Sequence, residues 1–154
     1  MIFIILKKLS KIFSSFIFFY VIFVVEIKIN TVMKQNEKDL LLEDLCARLP
    51  YGVKISVNNN IEKVDGVDVL DNVVGYGSCL CSDVEEVKPY LFPLSSMTEE
   101  RTEELIKLIN TDQNDNNEFM RSLCRIKFYH INHFDYRGLI PMGLANDATG
   151  LNIY

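Results

Sequence analysis

The densest run of chemically capable side chains is His133-Phe134-Asp135-Tyr136-Arg137. An imidazole titrates near neutrality, a carboxylate can hold its tautomer, and a phenol can give or take a proton. His133, Asp135 and Tyr136 could therefore share acid and base duty in a small hydrolase or nuclease. Sequence neighbours rarely aim at one substrate atom, however, because catalytic groups are recognised by geometry and not by adjacency. The structural expectation is that Asp135 caps the following turn, Arg137 pairs with an acid, and the two aromatic rings pack. A second constellation sets Cys79-Leu80-Cys81 beside His130-Ile131-Asn132-His133, so that two thiols and two imidazoles could be drawn around a zinc ion. Structural zinc sites space their cysteines by about two to four residues. Cys79, Cys81, His130 and His133 thus make poor ligands at this spacing, and free thiols with a histidine at a helix end are the simpler reading. Gly75-Tyr76-Gly77-Ser78 lacks the lysine and the following helix of a phosphate loop. No motif names a reaction or a cofactor. Tyr90-Leu91-Phe92 could anchor a partner protein, although core packing is the commoner fate of such residues.

These groups hang on a recognisable order of elements. Leu41, Leu42, Leu45, Cys46 and Leu49 make one apolar face of a helix from Glu37 to Leu49, which Pro50 stops and Gly52 releases. Val53, Ile55 and Val57 alternate with polar residues as a half-buried strand, and Asn58-Asn59-Asn60 ends it. Extended runs follow at Val64 to Leu70 and Val73 to Cys81, parted by Asp71-Asn72, and together the three strands predict an antiparallel meander. Pro89 and Pro93 keep Asp83 to Leu94 extended across the sheet. Ser96-Met97-Thr98-Glu99 matches a capping box, which predicts a helix from about Thr98 to Ile109. A solvated loop covers Asn110 to Asn117. A second helix then carries Phe119, Met120, Leu123, Cys124, Ile126 and Ile131, with Arg121, Arg125 and Lys127 outward. Gly138, Gly143 and Gly150 around Pro141 predict a short turn and a tail packed back on the domain. The expected fold class is α+β: an N-terminal helix, a three-stranded antiparallel meander and two C-terminal helices, over residues 33–154.

Charge divides the chain unequally. Residues 1–32 hold four lysines and one acid, Glu26, so of a net charge of −5 they leave −8 to residues 33–154. An acidic domain of that kind repels phosphate backbones, and no stripe of Lys and Arg offsets the repulsion, which argues against nucleic-acid partners. Four cysteines in 154 residues are too few for a disulfide scaffold and read as reduced thiols.

Residues 1–32 are a different polymer. Lys7, Lys8 and Lys11 precede an apolar run from Ile12 to Val25, the charge order of a signal peptide or anchor. The run is shorter than the roughly 20 residues that span a bilayer, and no small-residue cleavage site follows it. Phe, Ile, Lys, Asn and Tyr fill 20 of the 32 positions, the profile of AT-rich DNA read as protein. The expectation is a separate apolar helix that is either a mis-assigned start before Met33, giving a cytoplasmic protein, or a membrane anchor through Ile12 to Val25.

Three segments carry a resemblance: Asp44-Leu45-Cys46-Ala47-Arg48-Leu49-Pro50-Tyr51-Gly52-Val53, Glu85 through Glu100 with Lys88-Pro89-Tyr90-Leu91-Phe92-Pro93 at its centre, and His133-Phe134-Asp135-Tyr136-Arg137-Gly138-Leu139-Ile140. Over nearly all of residues 34–154 the chain resembles a group of small proteins of bacteriophages, prophages and mobile elements of gut bacteria, a group without an assigned activity. The resemblance implies a genomic setting and carries over no functional residue. The resulting expectation is a non-enzymatic accessory protein of phage type that binds another protein, with Tyr90, Phe92, Asp135, Tyr136 and Arg137 as the contact residues. The alternatives are the small hydrolase or nuclease and a membrane-anchored protein.

Overall fold

Burial in the first helix keeps the leucines of the expected apolar face and adds a charged pair to it. The computed structural model describes residues 33–111 and 118–154; the expected apolar N-terminal helix and most of the loop before Glu118 lie outside them. Helix α1 (Gln35–Arg48) buries Leu41, Leu42, Asp44, Leu45 and Arg48. Cys46, assigned to the apolar face, is exposed. Asp44 and Arg48 take the inner stripe instead, because i, i+4 partners share a face and neutralise each other there. A 3-10 turn (Leu49–Tyr51) ends at Gly52, whose φ of 71° lies in the left-handed region that glycine enters without strain, and whose N–H donates to Leu49 O at 3.2 Å.

Strands β1 (Lys54–Val57), β2 (Asn60–Asp68), β3 (Val73–Tyr76) and β4 (Leu80–Asp83) then form an antiparallel run of four, where a meander of three was expected. Asn58 and Asn59 both adopt positive φ, so Val57 pairs directly with Asn60 across a two-residue turn. Asp68 Oδ1 accepts from the N–H groups of Leu70 and Asp71 and shapes the next turn. The stretch Val73 to Cys81, expected as one strand, breaks where Gly77 and Ser78 turn left-handed and the Ser78 N–H donates to Asp65 Oδ2 at 3.0 Å. Asp65 is available for this because it sits where the β2–β3 register shifts between Val64 and Gly66.

The segment expected to cross the sheet lies within it. Strand β5 (Lys88–Pro93) pairs antiparallel with β1 through Ile55–Pro89 and Ser56–Lys88. It also pairs in parallel with two short strands, β6 (Phe134–Asp135) at Phe92–Phe134 and β7 (Asn146–Asp147) at Tyr90–Asn146. Among the described residues the sheet is thus mixed and seven-stranded, in the order β4-β3-β2-β1-β5-β6 with β7 also on β5. Pro89 is tolerated because it is only the second residue of its strand. Two helices, α2 (Glu99–Thr111) and α3 (Glu118–Ile131), connect β5 to β6 and contact each other. Thr98, and not Ser96, caps α2: its Oγ1 accepts from the Arg101 N–H at 3.3 Å, while the Ser96 hydroxyl donates to Pro93 O. The core gathers Leu41, Leu42 and Leu45 of α1 with Val53, Ile55, Val64, Val74, Leu91 and Leu139, all 1% exposed or less. Gln35–Tyr154 forms one compact unit, and among the described residues no helix is long and apolar enough to cross a membrane.

Candidate functional site

Where α1, the end of α3 and β6 meet, charged groups interlock. Arg48, fully buried, donates Nε to Asp44 Oδ2 at 2.7 Å and Nη2 to Asp44 Oδ1 at 3.1 Å. Its remaining donors reach Tyr129 O at 3.1 Å and Phe134 O at 2.9 Å. A guanidinium has donors for two oxygens of a carboxylate and spare N–H groups for carbonyls, so a lysine could not fill this position. At the rim, Arg137 donates to Glu43 at 2.8 Å and to the Tyr136 hydroxyl at 2.8 Å and lies 3.4 Å from Asp44. Burial works against the charge on Arg137, but its bonds to Glu43 and Tyr136 hold it protonated; Glu43 in turn titrates below the usual carboxylate range because Arg137 bonds to it.

The geometry separates the residues that sequence set side by side. Tyr136 meets His130 and not His133: the phenol oxygen lies 2.9 Å from His130 Nε2. Burial, with the Arg48 charge adding to it, lowers the His130 pKa, so the ring is neutral at pH 7. Both oxygens of Asp135 accept backbone N–H bonds, from Leu139 and Ile140, each at 2.8 Å. This is the cap that the structural expectation describes, and it engages both Asp135 oxygens with backbone N–H groups and not with an imidazole. His133 is 5% exposed, its φ is 56°, and its Nδ1 has no hydrogen-bond partner. Burial first, and the Arg48 charge second, push its pKa down to about 4, against the pull of a bond to the Tyr51 backbone.

Tyr90 and Phe92, both half-buried on β5, serve another tyrosine. The Tyr154 ring stacks on His133 at 3.9 Å and 14°, and lies 5.9 Å from the Phe92 ring. Its hydroxyl accepts from the Lys54 N–H at 3.0 Å and donates to Tyr90 O at 2.8 Å. By the β1–β5 register Lys54 faces Tyr90, so the hydroxyl bridges a place where the ladder would otherwise join the two strands directly. Burial raises the Tyr154 pKa to about 12, which keeps that donor protonated. The four residues weighed as poor zinc ligands have other surroundings: Cys79 and Cys81 are exposed at the start of β4, His130 bonds Tyr136 and His133 stacks on Tyr154. Among the described residues no group of three or more His, Cys, Asp or Glu could hold a metal ion.

One surface was not foreseen. Among the described residues α2 fully buries none and α3 only Phe128. Apolar residues of both helices stay outside the core: Ile106 is 52% exposed, Phe119 66%, Leu123 43% and Ile126 37%. On α3, Phe119, Leu123 and Ile126 fall at i, i+4 and i+7 and line one stripe. Helical periodicity shows such a stripe in sequence and does not say what covers it.

Compared with protein-family models, with curated proteins and with solved structures, the chain gives no match in any of the three.

Proposed function

We propose that this chain is a non-enzymatic accessory protein, of the phage type that the resemblance implies, which binds another protein through the outer face of α2 and α3. The observation that carries the reading is the exposure of Ile106, Leu123 and Ile126 on two helices that contribute almost nothing to the domain's own core. Apolar residues exposed along one helix stripe, as Leu123 and Ile126 are, favour an interaction site. Tyr90, Phe92, Asp135, Tyr136 and Arg137, the contact residues expected from sequence, are better accounted for as fasteners, since each makes bonds or ring contacts that hold α1, β5 or β6 in place.

The enzymatic reading has one contact in its favour, the Tyr136 phenol between His130 Nε2 and Arg137 Nε. A neutral imidazole could take the phenol proton and the guanidinium could stabilise the phenolate. Against it, Arg137 already answers Glu43, Asp135 is spent on two backbone N–H groups, and the acidic surface repels a polyanionic substrate.

Affinity capture from lysogenic cells, run in parallel with wild type, Leu123→Gln/Ile126→Gln and Tyr136→Phe, tests the assignment. A specific partner held by wild type and Tyr136→Phe and released by the helix variant supports it. A partner retained by the helix variant refutes this face, and loss of phenotype in Tyr136→Phe with capture intact would favour the enzyme over the binding protein.

A further inference from the structure

Residues 151–154 close a slot in the sheet. They belong to no helix or strand and follow Gly150, which takes a φ of 78° with open space where a Cβ would stand. The segment is thinly held: the Leu151 N–H donates to Ala148 O at 3.0 Å, Lys54 Nζ donates to Ile153 O, and Leu151 and Asn152 are exposed. Its anchor is one phenol. Tyr154 is 42% exposed, yet its hydroxyl sits between the Lys54 N–H and Tyr90 O, and its ring lies against those of His133 and Phe92. The walls of the slot are fixed by strands and not by the segment. Lys54 pairs with Lys63 of β2, Tyr90 with Asn146 of β7, and the Phe92 N–H donates to His133 O at 2.9 Å. A hydroxyl that both accepts and donates is what the two backbone groups require, and the flat rings beside it ask for an aromatic body. The fit is incomplete in one respect: with Tyr154 laid over the imidazole, His133 is 5% exposed and its Nδ1 has no partner. A buried polar atom without a partner is a cost, and lifting the segment lets water reach it.

We propose that this slot between β1 and β5 is a binding site for a para-substituted phenol, filled in cis by Tyr154, and that residues 151–154 are a strap which a phenol from outside displaces about the Gly150 hinge. The ligand class is read from the occupant. An aliphatic alcohol lacks the ring that His133 and Phe92 receive, and a ring without a hydroxyl leaves the Lys54 N–H and Tyr90 O unpaired. The slot shares no residue with the α2–α3 face, so it stands or falls separately from that reading.

Titration of the isotope-labelled full chain with p-cresol, followed by NMR at the Lys54 amide and the Tyr154 ring, provides the test. In Tyr154→Ala, shown to be folded by circular dichroism, p-cresol is expected to shift the Lys54 amide with a dissociation constant of about 1 mM, the scale for so small a ligand. In wild type the same shift should need about tenfold more p-cresol, because the strap competes, and the Tyr154 ring signals should move to their free positions as it lifts. Toluene should bind Tyr154→Ala at least about tenfold more weakly, since it answers neither backbone group. N-acetyltyrosinamide separates the two sources of a phenol: affinity equal to or above that of p-cresol assigns the site to a tyrosine on another chain, and weaker binding assigns it to a small free phenol. A Lys54 amide that p-cresol leaves unmoved in Tyr154→Ala would overturn the site, toluene binding as tightly would overturn its selectivity, and a wild-type strap that no concentration lifts would overturn the displacement. Should Tyr154→Ala not fold, the wild-type titration decides alone: coupled movement of the Lys54 amide and the Tyr154 ring supports the proposal, and their constancy refutes it.

Discussion

Arg48 and Leu123 show two opposite ways of placing a side chain against its usual preference. Arg48 is a cation with no exposure, and all three of its nitrogens have partners within 3.1 Å. Leu123 is an aliphatic side chain left 43% exposed on a helix whose only fully buried residue is Phe128. Burying a charge is costly unless bonds replace its water, and here they do; exposing one leucine costs little, but exposing a stripe of apolar residues leaves a surface that gains by being covered. The polar knot therefore belongs to the stability of the domain, and the helix face is apolar surface that the domain's own core does not use.

Breaking the knot should have the largest effect. Arg48→Met leaves the buried Asp44 with Arg137, 3.4 Å away at the rim, as its remaining counter-charge and should cost about 3 kcal/mol in urea unfolding. Asp44→Leu/Arg48→Met, which removes both charges, should cost less than the single change. If the double costs more, the pair stabilises by more than mutual neutralisation, and the knot would be a source of net stability in its own right.

Next comes acid. The His133 pKa of about 4 in the folded chain lies below its ordinary value of 6.5. Above pH 6.5 neither folded nor unfolded chain holds the proton, and between 6.5 and about 4 the unfolded chain binds it more readily. Stability should therefore fall as pH drops through that window, by about 3 kcal/mol in total, and level off below it. His133→Phe, which can keep the stack on Tyr154, should flatten the slope of unfolding free energy against pH; an unchanged slope would assign the acid sensitivity to other groups.

The smallest effect is expected on the helix face. Leu123→Gln/Ile126→Gln should shift the unfolding midpoint by no more than about 0.5 kcal/mol equivalent, since surface substitutions away from packed features are nearly neutral. A loss of several kcal/mol would show that these side chains support the domain after all and would erase the contrast with Arg48.

The same contrast explains what could be read in the sequence. Period and punctuation placed α1, β1, α2 and α3 to within a few residues, because Pro50, Gly52 and the hydroxyls before α2 act locally. Strands β6 and β7 have two residues each and no pattern to display; they exist because β5 offers them an edge. The Gly77-Ser78 break was hidden because serine seldom turns left-handed and needs the distant Asp65 to hold it. At the site, the cap by Asp135 and the ion pair of Arg137 were legible from residue type. The pairing of Tyr136 with His130 was not, since it depends on how α3 meets β6. Nothing in the sequence marks Asp44 and Arg48 as buried, because their i, i+4 spacing suits an exposed helix as well as a buried one.

The carbonyls that receive Arg48 lie 81 and 86 residues further along the chain. While the protein is being made, β1 to β4 can zip up from neighbouring turns as soon as they emerge, but Arg48 must wait, its guanidinium still hydrated, until the end of α3 and β6 arrive. The leucines of α1 can meet β2 and the turn at residues 84–86 earlier, so in the order of synthesis it is the bonds of Arg48, and not the seating of the helix, that close last.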